Sequence, residues 1–170
     1  MRGAKSSAIL VALAFGPAPV EPAHAQVPLT HSCITYVAGL YALPVPALEG
    51  LRAAEGGQVG RVTTNRNGSV DIGPFQVNST WVRHFKAAWN RSTDDETTRL
   101  LRDNGCANAL AAAAIFRIAL DRAHGDVGVA VGLYNSPNNP VQADTYRRHF
   151  IDAFRRGLAR KTLELDTFPN

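Results

Sequence analysis

The chain has 170 residues, 45% of them hydrophobic and 19% charged, which fits one globular domain with a short processed segment and leaves no length for a second core. Its formal charge is +4, or +3 once Arg2, Lys5 and Glu21 of the N-terminal segment are set aside. That balance suits weak attraction to an anionic polymer but lacks the dense basic stripe of a nucleic-acid binder, so nucleic acid is not an expected partner.

Arg2 and Lys5 precede an apolar run over residues 8–15, and a proline-containing stretch then closes on Ala23-His24-Ala25. This order is that of a secretory signal peptide over residues 1–25, which places the mature N-terminus at Gln26. The apolar run is far shorter than the roughly 20 residues a bilayer-spanning helix needs, so no stable membrane span is expected. Cys33 and Cys106, the only cysteines, lie beyond the cleavage point in a chain bound for an oxidising compartment. One disulfide is the expectation, contributing roughly 4 kcal/mol through loop closure; two unpaired buried thiols are the alternative.

Residues 33–43 place Ile34, Val37, Ala38 and Tyr41 at helical spacing, and Pro44 and Pro46 end the run. Pro46 suits the first position of a second helix, which runs through Leu48, Leu51 and Ala54 to Glu55 and stops at Gly56-Gly57. Residues 58–78 are polar and glycine-rich around Asn65-Arg66-Asn67-Gly68-Ser69, the pattern of an irregular loop or small hairpin. Ser79 is a candidate N-cap for a helix through Trp81, Phe85 and Trp89, and Asp94-Asp95-Glu96 suit the start of the next. Residues 106–123 are nearly all apolar, as in a buried central helix. A short helix from Asp126 to about Asn135 and a loop over 136–140 follow. The last helix groups Phe150, Ile151, Phe154 and Leu158 on one face, with Arg148, Arg155, Arg156 and Arg160 elsewhere on a solvated surface. Residues 26–161 thus form a mainly α, α+β domain, and residues 162–170 a loosely held tail.

No G-x-S-x-G elbow, phosphate-binding glycine loop, H-E-x-x-H or paired C-x-x-C motif is present, so serine nucleophiles and zinc have no support. His24, His31, His84, His124 and His149 lack ligand spacing. Residues 65–71 lack the leading aspartate and the distal glutamate of a calcium loop, so no metal or other cofactor is expected. Among the carboxylates Glu55 stands apart. It follows Ala53-Ala54, ends a helix at the negative pole of its dipole, and precedes two glycines that would let a substrate approach the backbone. Burial and the dipole both raise its pKa, the condition for a general acid; an exposed glutamate at a frayed helix end is the competing reading.

Glu55-Gly56-Gly57, Gly73-Pro74-Phe75-Gln76-Val77-Asn78 and Gly132-Leu133-Tyr134-Asn135-Ser136-Pro137 occur in order at spacings that resemble the soluble lytic transglycosylases, specifically the small members associated with secretion and conjugation. The resemblance covers residues 33–150. Where the family has Glu-Ser-Gly, Gly-Leu-Met-Gln-Ile and Ala-Tyr-Asn-Ala-Gly, this chain has Gly56 for the serine, Pro74-Phe75 for Leu-Met and Ser136-Pro137 for Ala-Gly. The resemblance implies a lysozyme-like fold, a location in the periplasm or outside the cell, and peptidoglycan glycan strands as substrate. Components of a type III or type IV secretion or pilus machine are the implied partners. It assigns Glu55 as the catalytic acid, Gln76 and Asn78 to the groove, Tyr134 and Asn135 to sugar contact and Tyr146 to the neighbourhood of the acid. It also supports pairing Cys33 with Cys106. With serine absent at position 56, Thr64 or Ser69 is the candidate hydrogen-bond partner for Glu55.

Only Asp71 is near enough in the pattern to act as a second carboxylate, and a loop-organising role suits it better. Glu55 would then act with help from the substrate's own acetamido group, releasing a 1,6-anhydro sugar. The alternatives are a lysozyme-type hydrolase on the same scaffold, and a catalytically weak wall-binding assembly factor that docks through its basic last helix.

Overall fold

In the computed structural model residues 25–166 are described, and they form a mainly helical domain with one three-stranded antiparallel sheet. Residues 1–24, which hold all but the last residue of the expected signal peptide over 1–25, and residues 167–170 lie outside the described residues. Helix α1 spans His31–Leu40 and starts two residues before Cys33, because the Thr30 hydroxyl accepts the Cys33 N–H at 3.2 Å and caps the turn. Helix α2 (Val45–Glu55) holds Pro46 in its first turn and ends on Gly56, whose φ of +63° is the left-handed conformation a glycine adopts at low cost.

Residues 58–78 resolve into the hairpin alternative with a third strand added. Strand β1 (Val62–Thr64) pairs with β2 (Val70–Ile72) so that Val62 faces Ile72, and β2 pairs with β3 (Val77–Asn78) so that Asp71 faces Asn78. The sheet order is β1-β2-β3. A single 3-10 turn, Ser79–Trp81, leads into α3 (Val82–Ala88). Its cap is Asn78, whose side chain accepts the Thr80 N–H, and not Ser79 as the sequence suggested. The Ser79 hydroxyl instead accepts the Val70 N–H of the sheet at 3.0 Å.

Helices α4 (Asp94–Asp103), α5 (Gly105–Arg122) and α6 (Val127–Asn135) are capped by Thr93, Asn104 and Asp126. Helix α5 is the centre of the core: Ala109, Ala111, Ala112, Ala113 and Phe116 are wholly buried, so the small side chains let neighbours close in from several sides. A disulfide between Cys33 and Cys106, with Cα atoms 5.7 Å apart, ties α1 to the first turn of α5 and removes the unpaired-thiol alternative. The segment before α1 is held there too, since Val27 bonds to Asp103 and Gly105 on either side of Asn104.

Helix α7 (Pro140–Asp166) packs across α2 and α6 and runs five residues into the expected tail. Its inward face differs in part from the expected one. Phe150 and Phe154 turn inward as expected, but Ile151 and Leu158 are 39% and 51% exposed, and Tyr146 and Ala153 take their place. The reason lies on α2: a Cβ at Gly50 would stand 2.6 Å from the Phe150 ring, so only glycine there admits that ring and fixes the rotation of α7. Arg147 and Arg148 pair with Asp144, and Arg155 and Arg156 are exposed. No helix among the described residues is long and apolar enough to cross a membrane.

Candidate active site

Helix α7 grips the end of α2 at two successive residues. The Tyr146 hydroxyl donates to Oε1 of Glu55 at 2.5 Å, and Nε2 of His149 donates to the Ala54 carbonyl at 3.0 Å. Tyr146 and His149 lie three apart on one helical face, so a single packing arrangement delivers both. Neither Thr64 nor Ser69 bonds to Glu55 among the described residues. The Ser69 hydroxyl is engaged by Asn65, Asn67 and Asn78, so the partner of the acid is Tyr146.

The hairpin presents a second carboxylate. Asp71 accepts from Nδ2 of Asn65 at 2.9 Å and from Nδ2 of Asn78 at 2.7 Å, one amide to each oxygen. Together the two amides lock the β1-β2 turn to β3. Asn78 therefore organises the groove's polar wall as well as lining it.

Between hairpin and core lies the turn carrying Gln76. Gly73 has a φ of +70°, and a Cβ on it would come within 2.7 Å of the Leu101 carbonyl and closer still to Asn108. Asn108, wholly buried on α5, receives the Phe75 N–H at 2.8 Å and donates to the carbonyls of Ile72 and Leu101 at 2.8 and 3.0 Å. The Tyr134 hydroxyl donates to the Phe75 carbonyl at 3.1 Å. Gln76 itself adopts a φ of +47° and bonds its side-chain amide to the Gly73 carbonyl at 2.8 Å. A non-glycine residue in that region costs about 1–3 kcal/mol, a strain that the Asn108 and Tyr134 bonds offset.

Gly57 corrects one expectation. A Cβ there would stand 2.1 Å from the Gly73 carbonyl, so the space beside it is filled by this turn and not left open for a substrate. Gly56 has open space around it and serves to end α2.

These parts enclose a groove of about 400 Å³. Glu55, Asp71, Gln76 and Asn78 line it, together with Tyr134 and Asn135 at the end of α6. Its floor is a stripe of α5, Ile115, Ile118, Ala119 and Arg122, at the spacing of one helical face. Trp81 adds an aromatic wall. Tyr146 reaches Glu55 without itself lining the groove.

Burial pushes the Glu55 carboxyl up to about 7, a rise that the Tyr146 hydrogen bond opposes, that the charge of Asp71 adds to and that His149 opposes. Glu55 thus exchanges a proton near neutrality. Burial, with the charge of Glu55 added, raises the Tyr134 and Tyr146 hydroxyls well above the usual phenol range, so both remain donors.

The sequence-assigned residues Glu55, Gln76, Asn78, Tyr134 and Asn135 meet in this one groove, and Tyr146 touches the acid as expected. Tyr134 does more than face a ligand: its hydroxyl braces the Gln76 turn. Asn108, Asn65 and His149 were missed. A lone asparagine inside an alanine-rich apolar run is a signal for the first, because a buried amide must find partners. His149 carried none, since its role depends on how α7 rotates against α2. Of the other described histidines, His31 pairs with Glu49 at 2.8 Å, His84 contacts the rings of Trp81 and Phe85, and His124 lies exposed just after α5. Among the described residues no group of three or more His, Cys, Asp or Glu side chains is placed to hold a metal ion.

Comparison of the chain with protein families, with curated proteins and with solved structures found no match.

Proposed function

We propose that this protein is a lytic transglycosylase that cleaves the MurNAc-GlcNAc bond of peptidoglycan glycan strands, with Glu55 as acid and then base. The observation that carries this reading is a carboxyl raised to about 7, oriented by Tyr146 and facing a groove walled by amides and an aromatic ring. A group that titrates at neutrality can donate and take back a proton within one cycle. The protonated Glu55 gives its proton to the glycosidic oxygen as the bond from C1 breaks, while the substrate's acetamido oxygen stabilises the anomeric centre. The Glu55 carboxylate then takes the proton of the C6 hydroxyl as O6 bonds to C1, which yields a 1,6-anhydro end without consuming water.

The resemblance of the three motifs further suggests an exported enzyme that opens the wall for a secretion, conjugation or pilus apparatus. The disulfide agrees with an oxidising compartment.

A second reading, lysozyme-type hydrolysis, is favoured by Asp71. Its carboxyl shares the groove with Glu55 and accepts two amide hydrogen bonds, while burial raises Glu55 to about 7; a raised carboxyl beside a second, amide-bound one suits an acid with a stabiliser or nucleophile. Mass analysis of digested sacculi separates the two: anhydro ends support transglycosylation, and hydrated reducing ends support hydrolysis. Asp71→Asn adds a second test. Hydrolysis through Asp71 predicts a loss of 100-fold or more, on the order of a removed catalytic charge, whereas substrate assistance predicts a smaller loss from the loosened hairpin.

A further inference from the structure

Arg122 is the one cationic side chain among the residues lining the groove. It is the last member of the α5 stripe, exposed, with no acidic side chain paired to it among the described residues. Its Nη2 donates to the Pro137 carbonyl at 3.3 Å, which holds the side chain against the loop that follows Asn135. That bond uses one guanidinium donor and leaves the others free for the groove. The end of α5 favours a cation through the helix dipole, so the charge is stably placed. The remaining lining beside the two carboxyls is amide, hydroxyl, aliphatic or aromatic, which suits neutral sugar rings and gives a cation nothing to answer.

Building on the glycan-cleaving reading, we propose that Arg122 is a specificity-determining residue that recognises a carboxylate carried by the muramoyl part of the substrate. Two sources share that chemistry: the lactyl carboxylate of a peptide-free strand and the carboxylates of an attached stem peptide. A guanidinium pairs with either as a planar fork. A neutral N-acetylglucosamine polymer has no such group, so Arg122 would separate peptidoglycan from chitin-like glycans within one groove.

The test is titration calorimetry on protein carrying Glu55→Gln, which prevents turnover. Its three ligands are chitotetraose, a peptide-free GlcNAc-MurNAc tetrasaccharide and the same tetrasaccharide with stem peptides. Arg122→Ala is expected to weaken the muramoyl ligands about tenfold more than chitotetraose, the loss of one charge-assisted hydrogen bond. Arg122→Lys is expected to recover part of it. A shift with the peptide-free ligand assigns the lactyl carboxylate, and a shift confined to the peptide-bearing ligand assigns the stem; either supports the proposal. Equal weakening of all three, or of none, overturns the role of Arg122 while leaving the groove a glycan site. Failure of every ligand to bind before Arg122 is changed overturns the glycan reading, and the role of Arg122 with it.

Discussion

The Tyr146 hydroxyl and the Glu55 carboxylate bond to each other across 91 residues of chain, so the orientation of the acid depends on how α7 seats against α2. Tyr146→Phe removes a donor that favours the ionised form, and Glu55 then titrates above its present value of about 7. Glycan cleavage is expected to fall about tenfold, with the alkaline limb of the pH-rate profile displaced upward. Unchanged rate and profile would show that Tyr146 does not orient the acid.

Glu55 also links pH to stability. Its folded pKa, about 7, lies above the ordinary value of 4.5, so its contribution is fully present below pH 4.5 and is lost as pH rises through 7. The loss amounts to at most about 3 kcal/mol. Glu55→Gln keeps an acceptor for Tyr146 and cannot ionise. It is therefore expected to raise the melting temperature at pH 8 and leave it nearly unchanged at pH 4.

Asn108 supports the groove from inside the core. Asn108→Ala leaves the Phe75 N–H and the Ile72 and Leu101 carbonyls without their partner, and costs about 3 kcal/mol or more in denaturant unfolding. Activity is expected to fall at temperatures where the fold persists, because the Gln76 turn loses its anchor. Denaturation curves together with cleavage rates check both halves.

The Cys33–Cys106 bond closes a separation of 73 residues, for which loop closure contributes roughly 4 kcal/mol. Replacing both residues with alanine is expected to lower the denaturation midpoint by a corresponding amount, measured beside the oxidised protein.

Much of this was legible in the chain because local signals agreed with the fold. Pro46 and Gly56 bracket α2, Asp126 and Asn135 bound α6, and Asp94-Asp95-Glu96 open α4 behind Thr93. Glu55 could be singled out because its helix end and apolar approach are both local. Half of the inward face of α7, Phe150 and Phe154, was legible, but Ile151 and Leu158 were misplaced, because apolar character alone does not distinguish Ile151 from Phe150; Gly50 on a different helix makes that choice. The orienting partner of Glu55 was sought in the following loop, whereas it comes from α7, a relation that no spacing near residue 55 encodes.

The central claim is that Glu55 cleaves glycan strands by internal transfer, and the most direct measurement is mass spectrometry of the muropeptides released from purified sacculi. The expected result is fragments ending in 1,6-anhydroMurNAc, lighter by one water than hydrated ends and missing after treatment with Glu55→Gln. Release of only hydrated reducing ends, or continued cleavage by Glu55→Gln, would contradict it.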